Sequence, residues 1–595
     1  MKISDLKQSF SKLQHYSLSF LILFFFLFLG KCLRFSTQTF GITGEWSSAL
    51  EIFTGQFLSD TRIFLIILSS TLLSSLCKKR LRQLFWLLAV AGVFLCYGAE
   101  EAGMIVLSTT VSLPEMVSFL GTSSPGFTGL ITGAGISLFL LFCGIMIIIS
   151  IPKIRKKLSY GLLLVVLLQM SSTGYYLLSP TPYTLPDNLL QRTIQAFSSL
   201  EIPLLSTIAT GIPTADQTEN PPLPHTHYEE YFTTEKGKGQ QLNLIIVFAE
   251  SLSQIDSLRV GGVNDRLPNF DAIAEKGITF TNYINNGCTS DTAHNALLKG
   301  VFPRDVSGYQ GFHTPLESLP TFLHNQGYHT TFLSTAPLNF LDQRAFLEEM
   351  QFDQIIGEEK FSGKKYTFDA APDGELYHEA LKRIRIEEIL QDIKIKERKK
   401  PEPYAIMMQT ISYHKPYNTP YGKDESTALA YSDEMLGSFY EKLEAEHFFD
   451  KGILLIVSDH RKMNALEKGE KEALGEFRYA KGLVTIVGKN IKPHTLNSTL
   501  LQHSDLYYGL RKLIASGSVI NAEIYNDPFS GKTGRDRAFL RCGFLGIHHY
   551  SLIMANGSGF QENNIPALLS HSPSAQQYLS LYLQYQIPPE TAEIP

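Results

Sequence analysis

Hydrophobic positions divide the chain into three zones. Up to about residue 180 they come in long unbroken runs. Between 180 and 240 they thin out among Pro, Thr, Ser and Gln. From Leu242 onward, short apolar runs alternate with stretches of helical periodicity. Five runs in the first zone, near 16–35, 58–77, 84–104, 129–150 and 159–178, reach the roughly 20 residues that a helix needs to cross a bilayer. The first does not read as a cleaved signal peptide, because FLILFFFLFLG is followed by Lys31 and Arg34 rather than by a small-residue cleavage site.

The loops between these runs alternate in charge. Lys2, Lys7 and Lys12 precede the first. Lys78, Lys79, Arg80 and Arg82 follow the second, and Lys153, Arg155, Lys156 and Lys157 follow the fourth. The intervening loops carry Glu45, Glu51 and Glu115 and almost no Lys or Arg; Lys31 and Arg34 are the exception. The pattern predicts a transmembrane domain of five helices over 1–180, a cytoplasmic N-terminus, and an extracytoplasmic position for everything after about 180. No ionisable residue within the runs marks a transport path. The expected location is the cell (inner) membrane, multi-pass.

Residues 181–240 read as a linker. Within it, LLQRTIQAFSSLEIPLL has apolar residues at helical spacing, as expected of a segment that packs on a neighbour or lies on a membrane surface. The net charge of −5 gives no reason to expect a nucleic-acid partner. Of the six cysteines, only Cys288 and Cys542 lie outside the apolar front half, so no disulfide framework is expected.

In residues 241–595 the strand candidates are LNLIIVFAE, GITFTNYI, HTTFLST, YAIMMQTIS, GILLIVSDH and LVTIVG. They are separated by helical stretches such as LPNFDAIAEKG, TAHNALLKG and YSDEMLGSFYEKLEAEHFFD. This alternation predicts an α/β domain with a mainly parallel sheet and helices on both faces. In such sheets chemistry gathers beyond the carboxyl ends of the strands. Glu250 closes the first strand, and Asp459 and His460 close GILLIVSDH. Thr289 stands in the loop NNGCTSD, which leads into a helix whose free N–H groups suit a phosphate. Two carboxylates, an imidazole and a hydroxyl make a candidate site for one hard-to-borderline cation, which would activate Thr289 as a nucleophile. Each of these residues alone is also a common helix cap; their order and context carry the reading.

The stretches LNLIIVFAES, LPNFDAIAEKGITFTNYINNGCTSDTAHNALLKG, GYHTTFLS, FDQIIG, TISYHKPY, YSDEMLGSFYEKL and IVSDH resemble the membrane transferases of the sulfatase (alkaline phosphatase) superfamily. The nearest likeness is to the lipoteichoic acid synthase and phosphoglycerol transferase group. The resemblance implies a sulfatase/alkaline-phosphatase-like α/β sandwich. It implies a divalent ion, manganese first and zinc or magnesium as alternatives, held by Glu250, Thr289, Asp459 and His460. It implies a phospho-threonine on Thr289 and a phosphate contact from His414. It also implies a membrane phospholipid as donor of phosphoglycerol or phosphoethanolamine, and an envelope glycan or lipid as acceptor.

The chain departs from that group where a His, a Trp and an Arg would grip glycerol phosphate: Ser334, Leu341 and Gln343 stand there. Arg344, one place along, is the candidate replacement phosphate contact, and Arg461 a second. His503, in LQHSDLYYGL, is a candidate proton donor to a leaving group. Cys288 lacks the downstream Arg that true sulfatases need and reads as a bystander. SGKTGRDR lacks the spacing of a nucleotide-binding loop. Two other readings share the fold: a phosphodiesterase or sulfatase that uses water as acceptor, and a non-catalytic envelope scaffold.

Overall fold

The computed structural model describes residues 242–301, 309, 317–463, 467, 469–515, 525–529, 535–544, 547–562 and 568. The five apolar runs, the linker and the C-terminal tail lie outside these residues. Among the described residues no helix is long and apolar enough to cross a membrane.

In chain order the domain runs β1 (Asn243–Ala249), α1 (Pro268–Ala274), β2 (Ile278–Phe280), α2 (Ser290–Lys299), α3 (Leu319–Asn325), β3 (His329–Ser334), α4 (Gln343–Glu349), β4 (Gln354–Ile356), α5 (Asp373–Lys396), β5 (Tyr404–Gln409), α6 (Glu425–Ala445), β6 (Gly452–Ser458), α7 (Glu470–Leu474), β7 (Val484–Gly488), β8 (Thr495–Asn497), α8 (His503–Ile514), β9 (Arg537–Phe544), β10 (Ile547–Met554) and β11 (Gly559–Glu562). The first eight strands form one sheet in the order β4-β3-β5-β1-β6-β7-β2-β8, and the last three form a second sheet. The large sheet is parallel from β4 to β6; β7 runs antiparallel to both its neighbours.

The period of two along β1 builds the two layers around it. Leu244, Ile246 and Phe248 point into a core shared with Leu297 and Leu298 of α2 and with α3 and α8. Ile245, Val247 and Ala249 point into the opposite core, with Phe270 of α1, Leu376 of α5 and Leu436 of α6. A strand buried on both faces has no polar alternation, which is why LNLIIVFA is continuously apolar. Gly327 ends α3 in the left-handed region (φ 85°), where the chain turns into β3.

Side chains join the helices of the second layer. Asp433 of α6 is buried and accepts hydrogen bonds from the backbone N–H of Asn269 (2.9 Å) and Phe270 (2.8 Å), capping α1 from a neighbouring helix. Asp433→Ala would strip these two amides of their acceptor and should destabilise the domain by about 2–3 kcal/mol. Urea unfolding midpoints measure this; a loss below about 0.5 kcal/mol would show that the cap is dispensable.

Candidate metal centre and nucleophile loop

The parallel order β5-β1-β6 brings three strand ends together. Glu250 follows β1, Thr410 to His414 follow β5, and Asp459 and His460 follow β6. Glu250, Asp459 and His460 each offer one ligand atom, and these atoms lie within 4.8 Å of one another, all buried. His460 Nε2 is 3.7 Å from Glu250 Oε1 and 3.5 Å from Asp459 Oδ2. His460 Nδ1 lies 2.9 Å from the Arg461 carbonyl; because a carbonyl only accepts, the proton sits on Nδ1 and the Nε2 lone pair faces the carboxylates.

The carboxylates are oriented by their neighbours. Ser251 adopts a left-handed backbone (φ 60°), an uncommon state for a residue with a side chain. That turn lets its N–H donate to Asp459 Oδ1 and its hydroxyl donate to Glu250 Oε1. Glu250 Oε2 and Asp459 Oδ2 are buried with no hydrogen-bond partner. Burial, then the nearby Asp459 charge, pushes the Glu250 carboxyl well above its ordinary range. Burial also pushes Asp459 upward, but His460 and the hydrogen bonds from Ser251 and Ser290 outweigh it and hold Asp459 below its ordinary range. Two orphaned carboxylate oxygens and an imidazole lone pair at this spacing fit a divalent cation.

The loop that leads into α2 stands beside the cluster. Thr289 is the N-cap of α2, and the Thr292 N–H returns to its carbonyl (3.1 Å). The Thr289 hydroxyl is turned toward Thr292 Oγ1 (3.5 Å). The adjacent Ser290 hydroxyl touches the cluster, 3.5 Å from His460 Nε2 and hydrogen-bonded with Asp459. The sequence pattern singled out Thr289; Ser290 had no separate signal.

The profile of the sulfatase family matches residues 242–515. The match lies over the sheet and helices that carry the cluster, and it shows what this part of the chain is similar to. Phosphoglycerol transferase I of Citrobacter koseri is 23% identical over 252 residues, which are 38% of this chain and 31% of that protein. The protein of the same name from Escherichia coli O127:H6 matches at the same identity and coverage. The chain therefore spans less than a third of the length of the curated relatives it matches. Among solved structures, the lipoteichoic acid synthase LtaP from Listeria monocytogenes is 15% identical and covers 58% of this chain and 92% of its own, with a TM-score of 0.46. A protein of the alkaline phosphatase superfamily from Vibrio parahaemolyticus is 20% identical and covers 61% and 92%, with a TM-score of 0.44.

Around this centre, the other sequence candidates fall into two groups. His414 is half-buried, and its Nδ1–H donates to the Lys415 carbonyl (2.6 Å). Burial lowers its pKa to about 4, so the ring is neutral with its lone pair on Nε2. It lies in the segment after β5, the strand next to β1 in the sheet. His503 is buried between two backbone groups: Nε2–H donates to the Ser458 carbonyl (2.9 Å), and Nδ1 accepts from the Asn286 N–H (3.4 Å). Neither ring nitrogen is left for a leaving group, so His503 braces β6 against the loop before α2.

Arg344 is not brought to the centre by its contacts; its guanidinium pairs with the exposed Glu359 at 2.9 Å. Arg461 is likewise committed, forming a buried two-pronged pair with Glu470 (2.7 and 2.8 Å). Gln343 donates to Gln409 Oε1 (2.9 Å), at the end of β5. Cys288 is no bystander: it forms a disulfide with Cys542, 254 positions away.

A pH dependence follows from the opposed shifts. In the metal-free protein Glu250 keeps its proton above the pH at which the unfolded chain releases it. The native state then binds more protons than the unfolded state, so stability falls as pH rises from the ordinary Glu range toward the raised value. A bound cation must displace that proton, so metal affinity should rise with pH. Calorimetric titration of the metal-free protein with Mn²⁺ in buffers of different ionisation enthalpy should show proton release that shrinks as pH rises. Affinity and proton release that do not change from pH 5.5 to 8 would contradict the assignment.

Proposed function

We propose that this chain is a metal-dependent phosphotransferase that moves a phospho-headgroup from a membrane phospholipid to an acceptor hydroxyl of the cell envelope through a covalent phospho-threonine. The observation that carries this is the buried pair of orphaned carboxylates and the imidazole set beside the N-terminus of α2, where Thr289 stands. The names of the curated relatives, phosphoglycerol transferase I, support phosphoglycerol as the group moved; phosphoethanolamine uses the same chemistry.

A divalent ion, manganese first, held by Glu250, Asp459, His460 and the Thr289 hydroxyl, would supply Lewis acidity that favours the alkoxide and offsets charge on the phosphoryl oxygens. In the first step an O–P bond forms from Thr289 as the P–O bond to diacylglycerol breaks. In the second, the acceptor hydroxyl attacks the same phosphorus and Thr289 leaves. The first N–H groups of α2 point where phosphoryl oxygens would lie. His414 presents its Nε2 lone pair beside the cluster and can take the acceptor's proton. Ser290 serves as the second hydroxyl of the site, holding Asp459 and His460 in place through its hydrogen bonds. Residues 1–180, as five membrane spans, and 181–240, as a linker, would keep the site outside the membrane and within reach of lipid.

Thr289→Ala and Ser290→Ala separate the two hydroxyls. With labelled phosphatidylglycerol and phosphatidylethanolamine as donors, Thr289→Ala should abolish transfer and the acid-stable labelled protein adduct, while Ser290→Ala should slow transfer by about ten- to a hundredfold and retain the adduct. If Ser290→Ala loses the adduct and Thr289→Ala keeps it, the nucleophile is the wrong residue. Release of the free phosphate ester with no acceptor product would instead make the protein a hydrolase.

A further inference from the structure

The nucleophile loop is fastened to a part of the chain that lies beyond the sulfatase-family match. Asn286 O accepts from the Arg541 N–H (3.1 Å), Gly287 forms a parallel bridge with Arg541, and Cys288 is bonded to Cys542. All three contacts end on β9, the edge strand that pairs with β10 in the three-stranded sheet. That sheet is itself fixed to the core. Gln502, the N-cap of α8, donates to the Phe539 carbonyl (2.8 Å) and accepts from the Phe539 N–H (3.0 Å). Ile284, Ala480, Leu500, Leu540 and Cys542 form a small apolar core between the sheet and the loop, and Cys288 packs against it.

The covalent link sits next to Thr289, after the loop's most permissive residue. A Cβ on Gly287 would lie 2.2 Å from Thr292 Oγ1, so only glycine allows this close approach to α2. The same glycine frees the backbone just before the nucleophile. The backbone contacts to β9 end at Gly287, and the Thr289 carbonyl accepts from the first turn of α2 (Thr292 N–H, 3.1 Å); at Cys288, between them, the disulfide is the covalent cross-link. We infer that the C-terminal sheet is a positioning element for the nucleophile loop, acting through the Cys288–Cys542 disulfide, and that turnover requires this bond to be oxidised. The inference rests on Thr289 being the nucleophile. Reduction leaves the metal ligands on β1 and β6 in place and frees the loop at Gly287, lowering the fraction of molecules with Thr289 aligned. An oxidising compartment would keep the bond formed, which matches an extracytoplasmic domain.

Cys288 is half-buried and Cys542 buried, so a reductant reaches the bond from the Cys288 side. The test uses the full chain in detergent, loaded with Mn²⁺, and a chromogenic phosphodiester as probe. Tris(2-carboxyethyl)phosphine gives up two electrons and, with water, becomes the phosphine oxide as the bond opens to two thiols. Removing it and adding oxidised glutathione re-forms the bond and releases two glutathione thiols. Reduction should lower kcat by about ten- to a hundredfold with KM and Mn²⁺ affinity held within about twofold, and reoxidation should restore it. The Cys288→Ala/Cys542→Ala double variant should match the reduced protein and ignore reductant. Hydrogen exchange over 284–292, which needs no substrate, should quicken on reduction while 243–249 stays protected. Unchanged kcat and unchanged exchange on reduction would overturn the inference, as would parallel loss of metal affinity, KM and kcat, the mark of general unfolding. If the oxidised protein shows no Thr289-dependent turnover, the nucleophile reading fails, and the exchange experiment alone decides whether the sheet holds the loop.

Discussion

The repulsion between Glu250 and Asp459 is the constraint on which the site depends. Adjacent parallel strands β1 and β6 end side by side and deliver two carboxylates into a space closed to water. Burial of like charges at this distance is strongly unfavourable unless something positive joins them. His460 directs Nδ1 at the Arg461 carbonyl and turns Nε2 toward the two acids. The left-handed turn at Ser251 relieves two oxygens through hydrogen bonds and leaves two others unpartnered. A cation answers this arrangement, and the rest of the fold can be understood as the means of holding the carboxylates still until it binds.

That holding comes from several directions. The Thr410 hydroxyl accepts the Glu250 N–H at 2.8 Å, tying the end of β1 to the segment after β5. His503 ties the end of β6 to the loop that leads into α2. Beneath them, Lys462 is buried among Asp256, Glu425 and Glu467, and Arg461 is paired with Glu470, so the loop after His460 is fixed by charge as well as by packing. A site built from strand ends and braced on all sides can keep its geometry through a reaction with little reorganisation.

Much of this was legible in the sequence. Glu250, Asp459 and His460 announce themselves because each closes an apolar strand, and a strand buried on both faces leaves an unmistakable run. The mainly parallel sheet followed from strands alternating with helices. Other features leave no such mark. Hydrophobic period does not encode direction, so the reversal at β7 was invisible, and three-residue edge strands such as β4 and β8 are too short to show a pattern. The longest helix among the described residues, α5, leaves Ile386, Ile389, Leu390 and Ile393 exposed and so shows no clean apolar stripe. Arg344 was chosen by its nearness in sequence to a substrate-gripping position, but an arginine's partner is set by the fold, and here it is Glu359. The Cys288–Cys542 link joins residues too far apart for spacing to reveal.

The most direct measurement is an anomalous diffraction experiment on crystals of the sulfatase-family domain grown with Mn²⁺, paired with metal analysis of the Glu250→Gln variant. The account predicts one strong anomalous peak between Glu250, Asp459 and His460, about one ion per chain, and its loss in the variant. Density for a proton-sharing, metal-free carboxylate pair at saturating Mn²⁺, or an undiminished metal content in Glu250→Gln, would contradict it.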